Sequence, residues 1–376
     1  MSITIAELKN RDKDSYRLID IRDAIEISHG AVPDAIAVPA EEIETSSEVD
    51  KDKLLVIFCA RGVVSIDVAE HLKEKGYQAE SLEGGYAAWL LDVMSKPEEQ
   101  NKAKDVELSL RKKFKKSIWS KFTKAINTYE LVKPGDKIAV CISGGKDSML
   151  MAKLFQELKR HNKFPFELVF LVMDPGYNEA NRAVIEHNAR LLGIPITVFE
   201  TEIFDAVYNI EKSPCYLCAR MRRGYLYSKA KELGCNKIAL GHHYDDVIET
   251  ILMGMLYGAQ VQTMMPKLHS TNFEGMQLIR PMYLIREADI KHWRDYNDLH
   301  FIQCACKFTD TCTTCRTDGT SVSKRMEIKN LIAELKKVNP HIESNIFRSV
   351  ENVNLHTVIA YKKDGVKHSF LEGYED

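Results

Sequence analysis

The strongest constraint on the fold lies near the middle of the chain. There the apolar run Lys137 to Ile142 passes directly into Ser143-Gly144-Gly145-Lys146-Asp147-Ser148 and on into a helical stretch ending at Arg160. A strand, a glycine-rich turn and a helix in that order aim free backbone N–H groups at one point, and the paired glycines let the main chain approach a pyrophosphate. Lys146 supplies a cation, and Asp147 a carboxylate able to hold magnesium or orient an attack. The spacing differs from the Walker loop, which sets four residues between its first Gly and Gly-Lys-Ser/Thr. Strands are also expected at Leu168 to Met173, Ile196 to Phe199 and Lys237 to Leu240, separated by helical stretches. This alternation predicts an α/β fold with a doubly wound parallel sheet and ligands at the carboxyl ends of its strands. Asp174, at the end of the first of these strands, joins the nucleotide-binding candidates. The last strand leads into Gly241-His242-His243-Tyr244-Asp245-Asp246 on the same side of the sheet. Asp245 and Asp246 either bind magnesium and position the substrate, or cap the helix Val247 to Tyr257.

A chain of 376 residues can bury more than one core. Residues 1 to 94 read as a separate α/β unit, with strands at Arg17 to Ile21 and Lys53 to Cys59 and helices at Val64 to Lys75 and Tyr86 to Val93. The polar stretch 95 to 105 reads as a linker, 106 to 130 as a helical entry to the second domain, 131 to 300 as its ATP-binding body, and 301 to 376 as a cysteine-rich and helical region. The net charge of -2 is a cancellation: residues 1 to 98 hold 11 basic and 20 acidic groups, a net of -9, so the rest carries +7. Within that basic part, Arg111 to Lys124 contains seven basic residues and no acid, with Leu110, Phe114, Ile118, Phe122 and Ile126 four apart. Such a segment is either a solvated face over a packed stripe or a contact for nucleic-acid phosphates. No apolar run reaches the ~18 residues of a membrane span and the first residues lack a signal-peptide pattern, so a cytoplasmic protein with no membrane partner is expected.

The nine cysteines are Cys59, Cys141, Cys215, Cys218, Cys235, Cys304, Cys306, Cys312 and Cys315. An odd, clustered set points to metal or thiol chemistry more than to disulfides. Cys59 ends an apolar strand and opens the loop Cys59-Ala60-Arg61-Gly62-Val63-Val64-Ser65, whose N–H groups and following helix would stabilise a thiolate or persulfide; a buried strand-end cysteine is also commonly a small hydrophobe. Cys215-Tyr216-Leu217-Cys218 suits half a zinc site, a redox dithiol or an iron-sulfur site, and spacing does not choose among them. Arg222 and Arg223 follow closely.

Four segments in order, Leu18 to Arg22 (LIDIR), His29 to Ala35 (HGAVPDA), the Cys59 loop and Leu82 to Trp89 (LEGGYAAW), make residues 1 to 94 resemble a single-domain rhodanese. The resemblance implies sulfur transfer through a Cys59 persulfide. SGGKDS resembles the PP-loop of ATP pyrophosphatases (adenine nucleotide α-hydrolase-like). Together with CYLCARMRRG, KIALGHHYDD, Leu278 to Met282 (LIRPM), Asn339 to Glu343 (NPHIE) and Ile346 to Ser349 (IFRS), it makes residues 106 to 356 resemble the tRNA 2-thiocytidine synthetase family.

That second resemblance implies adenylation of a base oxygen in tRNA and its replacement by sulfur. ATP and magnesium would sit on Ser143 to Ser148, Asp174, Gly241 and Asp245, with Asp147, Arg222 and Asp246 in the chemistry. It further implies a 4Fe-4S cluster on Cys215, Cys218 and Cys306, with Cys304 as the alternative third ligand. Cys312 and Cys315 lie in an insertion, and with Cys304 and Cys306 they make four cysteines within twelve residues, which also suits a separate zinc knot. The implied partners are tRNA, a cysteine desulfurase or other persulfide donor, and a second copy of the chain. The alternatives are a 2-thiouridine-type thiolase and a zinc- and tRNA-binding sulfur-relay protein without thiolase activity.

Overall fold

The computed structural model describes residues 2–94, 101–161, 164–177, 179–207, 214–302, 324–372 and 374; for Cys215 and a few other helical residues it describes the backbone alone. The chain begins β1 (Ser2–Ile3), α1 (Ile5–Lys9), β2 (Tyr16–Asp20), α2 (Ala24–His29), β3 (Ile36–Ala37), β4 (Leu54–Phe58), α3 (Val64–Glu74), β5 (Ala79–Leu82) and α4 (Gly85–Met94). The strands form one wholly parallel sheet in the order β1-β5-β4-β2-β3. Its central β4, Leu-Leu-Val-Ile-Phe, has four of five residues buried, the unbroken apolar run that a parallel strand covered on both faces requires.

Next come α5 (Lys102–Arg111) and α6 (Ser120–Thr128), joined through a π turn at Lys115–Trp119. α5 begins inside the stretch expected as linker. The stripe Leu110, Phe114, Ile118, Phe122 and Ile126 is buried throughout. A step of four residues overshoots a 3.6-residue turn by about 40°, so in a regular helix the stripe would drift well off the core face. The π geometry, with Phe114 N–H donating to the Ser109 carbonyl at 2.9 Å and Trp119 N–H to the Phe114 carbonyl at 3.1 Å, takes up the surplus and keeps the stripe inward. Part of the basic charge is used internally: Arg111 donates to Glu157 (2.8 Å from Nη2) and Lys121 to Asp289 (3.0 Å).

The larger sheet is built from β6 (Lys137–Ile142), α7 (Lys146–His161), β7 (Glu167–Asp174), α8 (Glu179–Leu191), β8 (Ile196–Glu200), α9 (Ile203–Val207), α10 (Pro214–Glu232), β9 (Lys237–Ala239), α11 (Tyr244–Gly258), β10 (Lys267–His269), β11 (Gln277–Ile279) and α12 (Glu287–Tyr296). Its order is β10-β11-β9-β6-β7-β8, parallel except for edge strand β10. From β6 the chain winds outward through β7 and β8, then returns to place β9 on the other side of β6. That reversal opens a crevice at the carboxyl ends of β6 and β9. The chain ends in α13 (Lys324–Val338), α14 (Ile342–Ser349) and the hairpin β12 (Ala360–Lys363) and β13 (Val366–Ser369).

Two compact units result. The first holds residues 1–244 and 266–322, and the second 245–265 and 323–376. Within the first, one cluster of buried side chains runs from Val32, Tyr86 and Leu90 through Phe114 and Phe122 to Val184, Ile185 and Ile302, so the two sheets share a core. Cys141 and Cys235 belong to the apolar interior; burial pushes the Cys141 thiol up to about 12, which makes it a hydrophobe and no nucleophile. Among the described residues no helix is long and apolar enough to cross a membrane.

Candidate active site

The other three segments of the first domain gather around the Cys59 loop. Cys59 Sγ accepts the Gly62 N–H at 3.1 Å and faces the Ser65 hydroxyl at 3.6 Å, with α3 starting just behind. Tyr86 N–H donates to the Cys59 carbonyl (2.9 Å) and Ala87 N–H to that of Ala60 (3.1 Å), so the LEGGYAAW segment clamps the loop. At Gly85 (φ +57°) a Cβ would stand 2.3 Å from the Cys59 carbonyl oxygen, and at Gly30 2.3 Å from the Tyr86 hydroxyl; neither leaves room for a side chain. Asp20 and Arg22 form a bidentate pair (2.9 and 2.6 Å), Arg22 also donates to the Gly30 carbonyl (2.9 Å), and its guanidinium lies 3.9 Å from the centre of the Tyr86 ring. Both side chains of this pair are at most 2% exposed. Arg22→Ala therefore leaves a buried, unpaired carboxylate and is expected to cost about 3–5 kcal/mol, read as a lowered urea midpoint; Asp20→Asn/Arg22→Met should cost clearly less.

Beside the loop is a cavity of about 40 Å³ lined by Ala60, Arg61, Arg22, Glu26 and Tyr86, and also by Asn181 and Val184 of α8 and by Ile302; Cys59 itself does not line it. Burial, reinforced by the neighbouring Asp23 charge and opposed by Arg22, lifts the Glu26 carboxyl to about 6. A carboxyl raised above its unfolded value of 4.5 stabilises the fold fully below that pH and loses this contribution as pH rises through about 6. Glu26→Gln should accordingly match the parent near pH 4.5 and exceed it by about 2 kcal/mol near pH 8. Thermal melts at the two pH values check this, and equal differences at both would refute it.

The second loop crowns β6 at the crevice. Gly144 adopts φ +86°, and a Cβ there would lie 2.5 Å from Ile185 Cγ1 and 2.8 Å from Ile302 Cδ1. Ile302 thus packs beside the glycine loop and also lines the cavity against Ala60 and Arg61. Ser148 Oγ accepts the Ser143 N–H (3.2 Å) and donates to the Gly145 carbonyl (2.9 Å), closing the turn. Gly241, after β9, approaches the start of α7 so closely that a Cβ would sit 3.3 Å from the Ser148 nitrogen. Lys146 is 6% exposed and reaches Asp147 (3.0 Å) and Glu287 (3.4 Å). Asp147 Oδ1 is buried without a hydrogen-bond partner, His243 Nε2 standing 3.9 Å away. A buried, unsatisfied carboxylate oxygen suits a cation ligand.

Asp174 ends β7 at the same edge, but its oxygens are engaged: Oδ1 accepts the Gly176 and Tyr177 N–H groups (2.9 and 2.6 Å) and Oδ2 pairs with Arg182 (2.8 Å). Asp245 and Asp246 lie in the first turn of α11, in the second unit, where Asp246 pairs with Arg325 of α13 at 3.1 Å. Arg222 on α10 lies over the Phe204 ring at 5.3 Å. Cys218 on α10 is half-buried and in no disulfide. The Cys215 side chain and Cys304, Cys306, Cys312 and Cys315 fall outside the described residues, and among the described ones no group of three or more His, Cys, Asp or Glu forms a metal site. Glu26, Ile302, Asn181, Val184 and Arg325 carry no mark in the sequence, because their neighbours are set by chain path and not by local pattern.

A glycine-loop nucleotide fold packed against a cysteine-loop sulfur-carrier fold defines the class: a PP-loop protein with a rhodanese-like domain in front. The PP-loop domain model matches residues 114–308 and the rhodanese-like domain model residues 4–92. The chain belongs to the PP-loop family and, within it, groups with the tRNA-cytidine(32) 2-sulfurtransferases. It is 35% identical over 245 residues to that protein of Syntrophotalea carbinolica, covering 64% of this chain and 91% of the relative, and 33% identical over 241 residues to that of Geobacter sulfurreducens, covering 63% and 90%. The solved U34-tRNA thiolase of Methanococcus maripaludis, determined with its 4Fe-4S cluster, aligns at 22% identity and a TM-score of 0.49 over 65% of this chain and 80% of that one.

Proposed function

We propose that this chain is an ATP-dependent tRNA sulfurtransferase of the 2-thiocytidine type, which adenylates the base oxygen and replaces it with sulfur carried in by Cys59. The observation that carries the reading is Ile302, a single side chain shared by the Gly144 turn and the cavity against Ala60 and Arg61 of the Cys59 loop. Sulfur carriage and nucleotide binding are thereby neighbours in one packed unit.

Backbone N–H groups of the Gly144 turn and the start of α7 receive the phosphates of ATP, and Lys146 offsets their charge. The base oxygen attacks the α-phosphorus and pyrophosphate leaves, so a poor leaving group becomes AMP. Asp147 Oδ1 would hold magnesium, which neutralises phosphate charge when bound. At Cys59 the outer sulfur of a persulfide passes to an acceptor thiolate, and the electron pair of the broken S–S bond stays on Cys59 Sγ, where the Gly62 N–H and the Ser65 hydroxyl stabilise it; the acceptor's persulfide sulfur then attacks the adenylated carbon, AMP leaves, and a second thiol breaks the remaining S–S bond, supplying the two electrons and ending as a disulfide. A 4Fe-4S cluster on Cys215, Cys218 and Cys306 would supply an open iron for sulfur, and the half-buried Cys218 thiol fits a ligand of that kind.

The test is the nucleoside profile of tRNA from cells lacking the chain. We expect 2-thiocytidine to disappear and to return with the parent chain but not with Lys146→Ala. Disappearance of a 2-thiouridine instead would assign the other base, and an unchanged profile would overturn the reading. Iron and sulfide counts after anaerobic purification test the cluster; a colourless, zinc-only protein would refute it.

A further inference from the structure

A second, larger cleft of about 640 Å³ shares no lining residue with the Cys59 cavity or the glycine turn. One wall is a face of α10 carrying Arg220, Arg223 and Tyr227, spaced three and four apart so that they stack along the helix. The other is β10 and the loop that follows, including His269, Thr271 and Asn272. The floor is apolar and filled: the Tyr227 and Phe273 rings stack at 5.2 Å and 13°, with Tyr227 only 5% exposed. Ser270 Oγ accepts the Phe273 N–H at 3.1 Å and holds the loop in shape. Arg220, Arg223, His269, Thr271 and Asn272 are all exposed. No carboxylate lines the cleft. Arg222, one position round the helix, is turned instead to Phe204.

The chemistry on offer is therefore chiefly cationic and hydrogen-bonding, the two aromatic rings that line the cleft being stacked on each other. It suits phosphate and ribose oxygens better than a nucleobase, the pattern of sequence-independent backbone contact. The cleft lies along the middle of α10, from Ala219 to Tyr227. β11 runs parallel to β9, so the loop before it lies at the amino edge of the sheet, while α10 spans about 28 Å back toward the carboxyl edge, where its first turns carry the Cys-x-x-Cys pair.

We infer that this cleft is a binding site for an RNA phosphodiester strand, with successive phosphates on Arg220 and Arg223 and hydrogen bonds from Thr271 and Asn272. The inference rests on the proposed function in taking tRNA as the polyanion. It assigns the strand a path along α10 that the reaction chemistry alone does not specify.

The experiment measures unfractionated tRNA binding to the full chain, without turnover, over a range of salt. Arg220→Glu/Arg223→Glu should weaken binding at least 30-fold near 0.1 M salt and flatten the slope of log affinity against log salt by about two. ATP affinity and the melting temperature should stay at parental values. Asn272→Asp, at an exposed position, should weaken tRNA binding several-fold without risk to the fold. Affinities within twofold of the parent for both variants would overturn the inference. A chain that binds tRNA through these residues yet forms no thionucleoside would sink the proposed function and leave the cleft standing; unchanged tRNA affinity in an active enzyme would do the reverse.

Discussion

Cys59→Ser is expected to abolish sulfur delivery, lowering thiolation from a persulfide donor by roughly a thousandfold, about 4 kcal/mol of lost transition-state stabilisation. Serine fits the same space, so the fold and the Gly62 contact survive, but an un-ionised hydroxyl neither accepts nor releases sulfur as a thiolate does. Peptide mass spectrometry should find an added sulfur atom on Cys59 in the parent and none at position 59 in the variant. Supplying inorganic sulfide should restore part of the thiolation, because the ATP loop is untouched. Full thiolation by the variant with the persulfide donor alone would remove Cys59 from the pathway.

Gly144→Ala should be almost as damaging by a different route. The new methyl would meet Ile185 and Ile302 at 2.5 and 2.8 Å, on a backbone at φ +86° that L side chains rarely adopt. Such strain costs roughly 1–3 kcal/mol of stability, and a displacement of about 1 Å in the phosphate cradle can cost 100-fold in rate. Gly145→Ala is the internal control: its nearest contact would be 3.7 Å away and its φ is ordinary, so its melting temperature should stay near the parent's. Differential scanning calorimetry and ATP titration of the pair check this. Equal melting temperatures for the two variants would contradict the steric account.

The elements that positioned these loops were readable because buried parallel strands must be continuously apolar: Lys137 to Ile142 was bounded correctly, and Leu54 to Phe58 lay inside the expected run. The stripe spaced by four was visible, whereas the π turn that makes it work was not, since only the packed core decides which phase a helix keeps. The two loops could be named from their own residues. The side chain that joins them could not, because Ile302 lies 158 positions beyond Gly144 and resembles any other core isoleucine. In the same way, the Arg182 and Arg325 partners of Asp174 and Asp246 depend on helices whose docking no local pattern records.

The core shared by the two sheets has a consequence for how the molecule comes apart. Trp89 of the sulfur-carrier domain meets His300 edge-on at 5.6 Å, and Tyr86 and Leu90 belong to the same buried cluster as Val184 and Ile302. A carrier on a loose tether would melt as an independent module and survive excision. Here, cutting after residue 94 would strand apolar surface on both fragments, so the two domains should denature in a single cooperative step, and each piece made alone should be prone to aggregate.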